Sequence, residues 1–146
     1  MKWNLKNLYE NLDAWQKDFE KMESLLKEAR TYQGKLSDFE HFKAYYNAQK
    51  EAYITLHKLY QYANLNSDLN RKNVENSARV QKVGDLLNRF SQATAFEKPE
   101  VLSLGWEKVD TFLKQDQSLE EYRFPLEKLF HQSEHILDKD KEEMLS

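Results

Sequence analysis

An all-α fold is what this sequence predicts, on three observations. Glycine and proline are scarce, 3 and 2 among 146 residues, so a β-sandwich or barrel would lack its usual turn residues. Gly34, Gly84 and Gly105 stand far apart, which disfavours the clustered glycines of a phosphate-binding α/β fold. Apolar residues recur at steps of three and four over long stretches, the period of one helix face. Hydrophobic residues make up only 40% of the chain and mean hydropathy is −0.91, yet 13% are aromatic. The core must therefore be built from few, bulky side chains. The expected architecture is a multi-helix, antiparallel, bundle-like lobe spanning 1–146 as a single domain, with two or three long helices followed by shorter C-terminal ones.

The stretch through Leu12 alternates polar and apolar residues too briefly to classify and reads as extended, with Asp13 as the first N-cap. Trp15, Phe19, Met22, Leu26 and Ala29 then form one stripe, closed by Gly34 as a left-handed C-cap. Ser37-Asp38-Phe39-Glu40 has the form of a capping box and opens a second helix. Its apolar face carries Phe39, Phe42, Tyr46, Tyr53, Leu56, Tyr60 and Ala63, widened by Tyr45, Ala52 and Leu59 and interrupted by Gln49, with a break near Asn47 as an alternative. Asn64 to Asn73 reads as a connection rich in Asn, Asp and Ser. A third helix is expected from Asn73 to Lys98, burying Val74, Ala78, Gln81 or Val83, Leu86, Leu87, Phe90, Ala93 and Phe96, with Gly84 admitting a close neighbour. Pro99 marks its end or the first turn of a following segment. Trp106, Val109, Phe112 and Leu113 make one short helix. Ser118-Leu119-Glu120-Glu121 is a second capping box, Pro125 bends or restarts the helix after it, and Asp138 caps a last one.

Charge excludes several function classes. The 22 basic and 25 acidic residues leave a net −3 with signs interleaved, so no basic stripe is available to a nucleic-acid backbone. Absence of cysteine removes disulfide and thiolate chemistry. No window approaches the ~18 apolar residues of a membrane span, and the first residues lack a signal-like apolar core. The expectation is a cytoplasmic protein that binds neither nucleic acid nor membrane.

His131-Gln132-Ser133-Glu134-His135 matches the inverted zinc-peptidase pattern H-x-x-E-H, since two histidines four residues apart share a helix face and the Glu could polarise a metal-bound water. The same helix argues against it. Leu126, Leu129, Phe130, Ser133 and Leu137 fall on one side and His131 with His135 on the other, toward water. A third ligand and second shell are also wanting, so His131, Glu134 and His135 are rejected as a metal site. His41 and His57 lack ligand-like company and read as solvent or packing residues. Glu120-Glu121 and Glu142-Glu143 read as helix-end charges rather than acid-base pairs. No catalytic residue is assigned. The tyrosines of the second helix serve packing first, and Tyr45, Tyr53, Tyr60 and Tyr62 are the candidates for a peptide- or lobe-contact surface.

Read in order, three segments resemble the N-terminal region of the oligoendopeptidase F family, zinc metallopeptidases related to thimet oligopeptidase. Trp3-Asn4-Leu5-Lys6-Asn7-Leu8-Tyr9 is similar to its opening W-D-L-x-D-L-Y. Leu59-Tyr60-Gln61-Tyr62-Ala63-Asn64-Leu65-Asn66-Ser67-Asp68 resembles L-Y-x-Y-A-x-L-x-x-D. Tyr122-Arg123-Phe124-Pro125-Leu126-Glu127-Lys128-Leu129 resembles Y-R-x-x-L-E-x-L, followed by Ile136-Leu137 where the family has an H-x-L-S-x-x-x-E boundary. The resemblance implies a helical enzyme with two lobes around a peptide channel and zinc held by H-E-x-x-H with a downstream Glu, all in a later catalytic region. This chain has no H-E-x-x-H. The expectation is a non-catalytic, truncated N-terminal lobe without its own cofactor and inactive alone. Its partners would be the catalytic region of the same peptidase or itself, with oligopeptide substrate only in the complete enzyme. The alternative is a free-standing helical interaction module using its aromatic face.

Overall fold

The structure, a computed structural model, describes Tyr9 and residues 11–69 and 74–145. Six α-helices follow one another: α1 Leu12–Thr31, α2 Phe39–Leu69, α3 Val74–Ala93, α4 Glu97–Leu104, α5 Trp106–Gln115 and α6 Arg123–Leu145, with a 3-10 turn Gln117–Tyr122 before the last. No strand occurs among the described residues, so the all-α reading holds. None of their helices is long and apolar enough to cross a membrane. The motif residues Trp3 to Leu8, the connection 70–73 and the side chains of Val74, Ile136, Leu137 and Asp138 lie outside what is described.

Local chemistry explains where each helix begins. α1 is capped by Asn11, whose side chain accepts from the Ala14 amide at 2.9 Å. The cap lies two residues ahead of Asp13, which instead places its charge in the first turn where the helix dipole favours it. α1 also stops earlier than expected, at Thr31, and Gly34 with φ +83° serves the following turn rather than the cap. Asp38 caps α2 in place of Ser37: its carboxylate takes the His41 amide at 3.3 Å and the His41 ring Nδ1 at 2.6 Å. That contact holds the Asp38 carboxyl below the usual carboxylate range.

α2 continues unbroken past Asn47 and through Asn64 to Leu69, so neither the break nor the whole of the expected connection is realised. Asn64 donates its side-chain amide to the Tyr60 carbonyl at 3.0 Å, a helix-compatible bond that keeps it from ending the helix.

Pro99 and Pro125 decide the later boundaries. A proline inside a helix lacks an amide donor and its ring meets the carbonyl four residues back, whereas in the first turn the amide would be unpaired anyway. Each therefore requires a helix to restart just before it, and each is the third residue of its helix, α4 and α6. The stretch expected as one helix to Lys98 thus divides at Thr94 to Phe96. Asp116, rather than Ser118, caps the 3-10 turn by accepting the Ser118 amide at 2.8 Å. α6 then runs through Asp138 without a new start.

Packing divides the chain into two compact units, residues 1–32 with 48–95 and residues 33–47 with 96–146. The first buries Trp15, Phe19, Met22 and Leu26 of α1 with Ala52, Leu56, Leu59, Tyr62 and Ala63 of α2 and Val83, Leu86, Phe90 and Ala93 of α3. Trp15 stacks on Phe19 at 5.5 Å and donates its indole N–H to the Leu59 carbonyl at 3.1 Å, so even this buried polar atom is satisfied. Tyr9 stands edge-on to Tyr62 and donates to Asp18 at 2.8 Å; burial and that carboxylate push its phenol up.

The second unit buries Leu36, Phe42, Tyr45, Tyr46, Val101, Val109, Phe112, Leu113, Leu119 and Leu126. Rings supply much of it: Phe42 meets Phe112 at 5.1 Å and Tyr46 at 4.8 Å, and Tyr46 meets Tyr122 at 4.8 Å. Glu97 accepts from the hydroxyls of Tyr45 at 2.6 Å and Tyr46 at 3.1 Å. Glu100 binds the amides of Gly34 and Leu36 and so fixes the turn before α2.

Candidate functional site

The four candidate tyrosines separate into two kinds. Tyr45 is 0% and Tyr62 6% exposed, whereas Tyr53 is 58% and Tyr60 47% exposed. Helical geometry accounts for this. Tyr53 and Tyr60, seven residues apart, nearly superimpose along the axis, while Leu59 lies about 100° round from Tyr60 and points into the core. Tyr45 and Tyr62 are thus corrected from contact surface to packing residues. Tyr46, also buried, has its phenol pushed well up, chiefly by burial and then by the Glu97 charge.

Tyr53 and Tyr60 line an open groove of about 490 Å³ with Leu56 and His57 of α2, Leu87, Phe90 and Ser91 of α3, and Thr94. Tyr53 stands edge-on to Phe90 at 5.4 Å. Leu87, expected among the buried residues, lies at 39% exposure on the groove wall. The signal was available, because Leu86 and Leu87 are adjacent and a helix directs neighbours about 100° apart. Ala78 likewise faces out and Val80 takes its place at the core edge. Gly84 admits no close neighbour: a methyl there would meet nothing within 4 Å. The groove is lined by aromatic and aliphatic side chains together with the His57 imidazole and the Ser91 and Thr94 hydroxyls, and by no Asp, Glu, Lys or Arg side chain among the described residues.

On α6, His131, Glu134 and His135 are exposed while Leu126 is buried and Leu129, Phe130 and Ser133 are half-buried. The helix thus turns its apolar side inward as the sequence periodicity requires. His131 and Glu134 line a small depression of about 250 Å³ with Trp106, Glu127 and Phe130, and His135 is not among its lining residues. Among the described residues no group of three or more His, Asp or Glu side chains is placed to hold a metal ion.

The model of the Oligopeptidase F family matches residues 100–146. Over 145 residues, 99% of this chain, the sequence is 28% identical to Oligopeptidase PepF of Bacillus subtilis, of which it covers 22%. It is 25% identical over the same length to an oligoendopeptidase F homolog of Borreliella burgdorferi, covering 24% of that protein. The crystal structure of oligoendopeptidase-F from Enterococcus faecium matches 82% of this chain, and 24% of its own, with a TM-score of 0.71 and 21% identity, a likeness of fold. The chain therefore spans about a quarter of the length of the relatives it matches. Similarity that runs through nearly every residue, together with a family model matched at α4 to α6, makes the chain similar to one part of oligoendopeptidase F-type proteins.

Proposed function

We propose that this chain forms the non-catalytic N-terminal lobe of an oligoendopeptidase F-type zinc endopeptidase, where it flanks the channel that admits short peptides. One observation carries the reading: the similarity covers 99% of the chain and 22% of the Bacillus relative, and the sequence holds no H-E-x-x-H. Zinc and the water it activates belong to the catalytic region of such an enzyme, and among the described residues of this chain no group of His, Asp or Glu side chains is placed to hold a metal ion. Its own residues supply a preorganised helical wall. The exposed strip Tyr53, Tyr60 and Leu87 is where a companion catalytic region would seat, since rigid aromatic area with polar tips suits a protein contact.

The purified chain should leave an internally quenched oligopeptide intact with or without added zinc. Zinc-dependent hydrolysis abolished by a chelator would overturn the reading. Mixed with the catalytic fragment of a relative, the chain should associate, and Leu87→Asp with Tyr53→Asp should abolish that association while leaving the circular dichroism spectrum unchanged. A stable homo-oligomer disrupted by the same substitutions would instead support the free-standing interaction module.

A further inference from the structure

α4 is the shortest of the α-helices and the one least able to hold itself. Its 8 residues make about two turns, well below the ~12–15 at which an isolated helix becomes even marginal in water. Its N-cap, Phe96, supplies no side-chain acceptor, and its far end stops at Gly105, where φ +85° and ψ 151° make a joint before α5. Val101 is its one buried side chain, with Leu102 and Leu104 half-buried.

Carboxylates supply much of the remaining hold. Glu97 and Glu100, three residues apart on one helix face, each receive two donors, one on each oxygen. Glu97 takes the Tyr45 and Tyr46 hydroxyls at 2.6 Å and 3.1 Å. Glu100 takes the Gly34 amide and, at 3.0 Å, the Leu36 amide. Beneath the helix Tyr45 and Tyr46 are buried, and Phe96 stands edge-on to the Tyr45 ring at 5.5 Å. All four bonds run through one short rod, so they are made together or lost together.

We propose that α4 is a lid over Tyr45 and Tyr46, latched by Glu97 and Glu100 and jointed at Gly105, which opens as one piece while the rest of the second unit stays folded. Opening frees the turn at residues 34–36 and presents both phenols to solvent in the same event. The remaining core does not need the lid: Phe42 meets Phe112 at 5.1 Å, and Val109, Leu113, Leu119 and Leu126 are buried on other elements. The lid is independent of the peptidase reading and is tested on the chain alone.

Amide hydrogen exchange followed by NMR is the test. In the unaltered chain the Leu36 amide and those of residues 101–104 should share one protection factor, lower than that of residues 109–113 in α5. E97Q/E100Q keeps the shape of both side chains but sets an amide NH2 against donors that a carboxylate oxygen accepted. Exchange of Leu36 and α4 should rise at least about tenfold, the worth of one charge-assisted bond. Nitration of Tyr45 and Tyr46 by tetranitromethane should quicken with it, while α5 and the Trp15 indole N–H, bonded to the Leu59 carbonyl, exchange as before. Leu36 exchanging independently of α4, α4 as well protected as α5, equal acceleration everywhere in the variant, or unchanged nitration would overturn the proposal. Should the variant lose its helical spectrum, the comparison within the unaltered chain decides alone.

Discussion

Replacing Gly84 and Gly105 by alanine should move stability in opposite directions, although a methyl at either position meets nothing within 4 Å. Gly84 lies in the interior of α3 with helical backbone, and alanine there should add about 0.5–1 kcal/mol by restricting the unfolded chain. Gly105 sits between α4 and α5 at φ +85° and ψ 151°, a region almost reserved for glycine, so alanine should cost about 1–3 kcal/mol. Thermal denaturation of the two variants checks both signs. The three glycines were visible in the sequence as isolated punctuation, but their conformations were not: Gly84 read as a packing contact and Gly34 as a helix cap. Tyr53 and Tyr60 were equally visible as candidates, yet only helix phase against the finished core separated them from Tyr45 and Tyr62. Glu97, the acceptor for Tyr45 and Tyr46, left no signal, since it lies about fifty residues away in the chain.

At the scale of helices, the caps carry testable weight. Asn11→Ala should destabilise the protein by about 1 kcal/mol through loss of the bond to the Ala14 amide, measured by urea denaturation. Asp116 joins a cap to an ion pair, with Lys43 Nζ at 2.7 Å and the Ser118 amide at 2.8 Å. Its carboxyl is lowered to about 2, first by the Lys43 contact and then by Ser118. Because the folded value lies below the unfolded one, this stabilisation is present above the ordinary carboxylate value near 4 and is lost as pH falls through about 2. Asp116→Asn should therefore flatten the acid limb of the stability curve between those limits, read from denaturation midpoints in a pH series. The long helices α1, α2 and α3 were legible from the three-four spacing, whereas α4 was not read as a helix of its own. Three starts slipped by a residue or two because Asn11, Asp38 and Asp116 each compete with a neighbouring Ser or Asp for the cap, and only the backbone path selects the winner.

For the whole molecule, composition and order of motifs carried the reading furthest. Scarce glycine and sparse but aromatic apolar residues anticipated the helical class, and the spaced segments from Trp3 to Leu129 anticipated the similarity to oligoendopeptidase F-type proteins. The division into two units was hidden. α2 keeps its helical period across Asn47, so nothing in the pattern marks the point where its residues pass from one unit to the other.

That interleaving has a consequence for biosynthesis. Residues 1–32 and 48–95 are all present once Ala95 has left the ribosome, whereas 33–47 belong with 96–146 and must wait. A nascent chain arrested with Ala95 just emerged should already protect Trp15 and Leu59 from proteolysis while Phe42, Tyr45 and Tyr46 remain cleavable. Protection of those three should arrive only when Phe112 emerges, so that an early stretch of the message is folded by a late one.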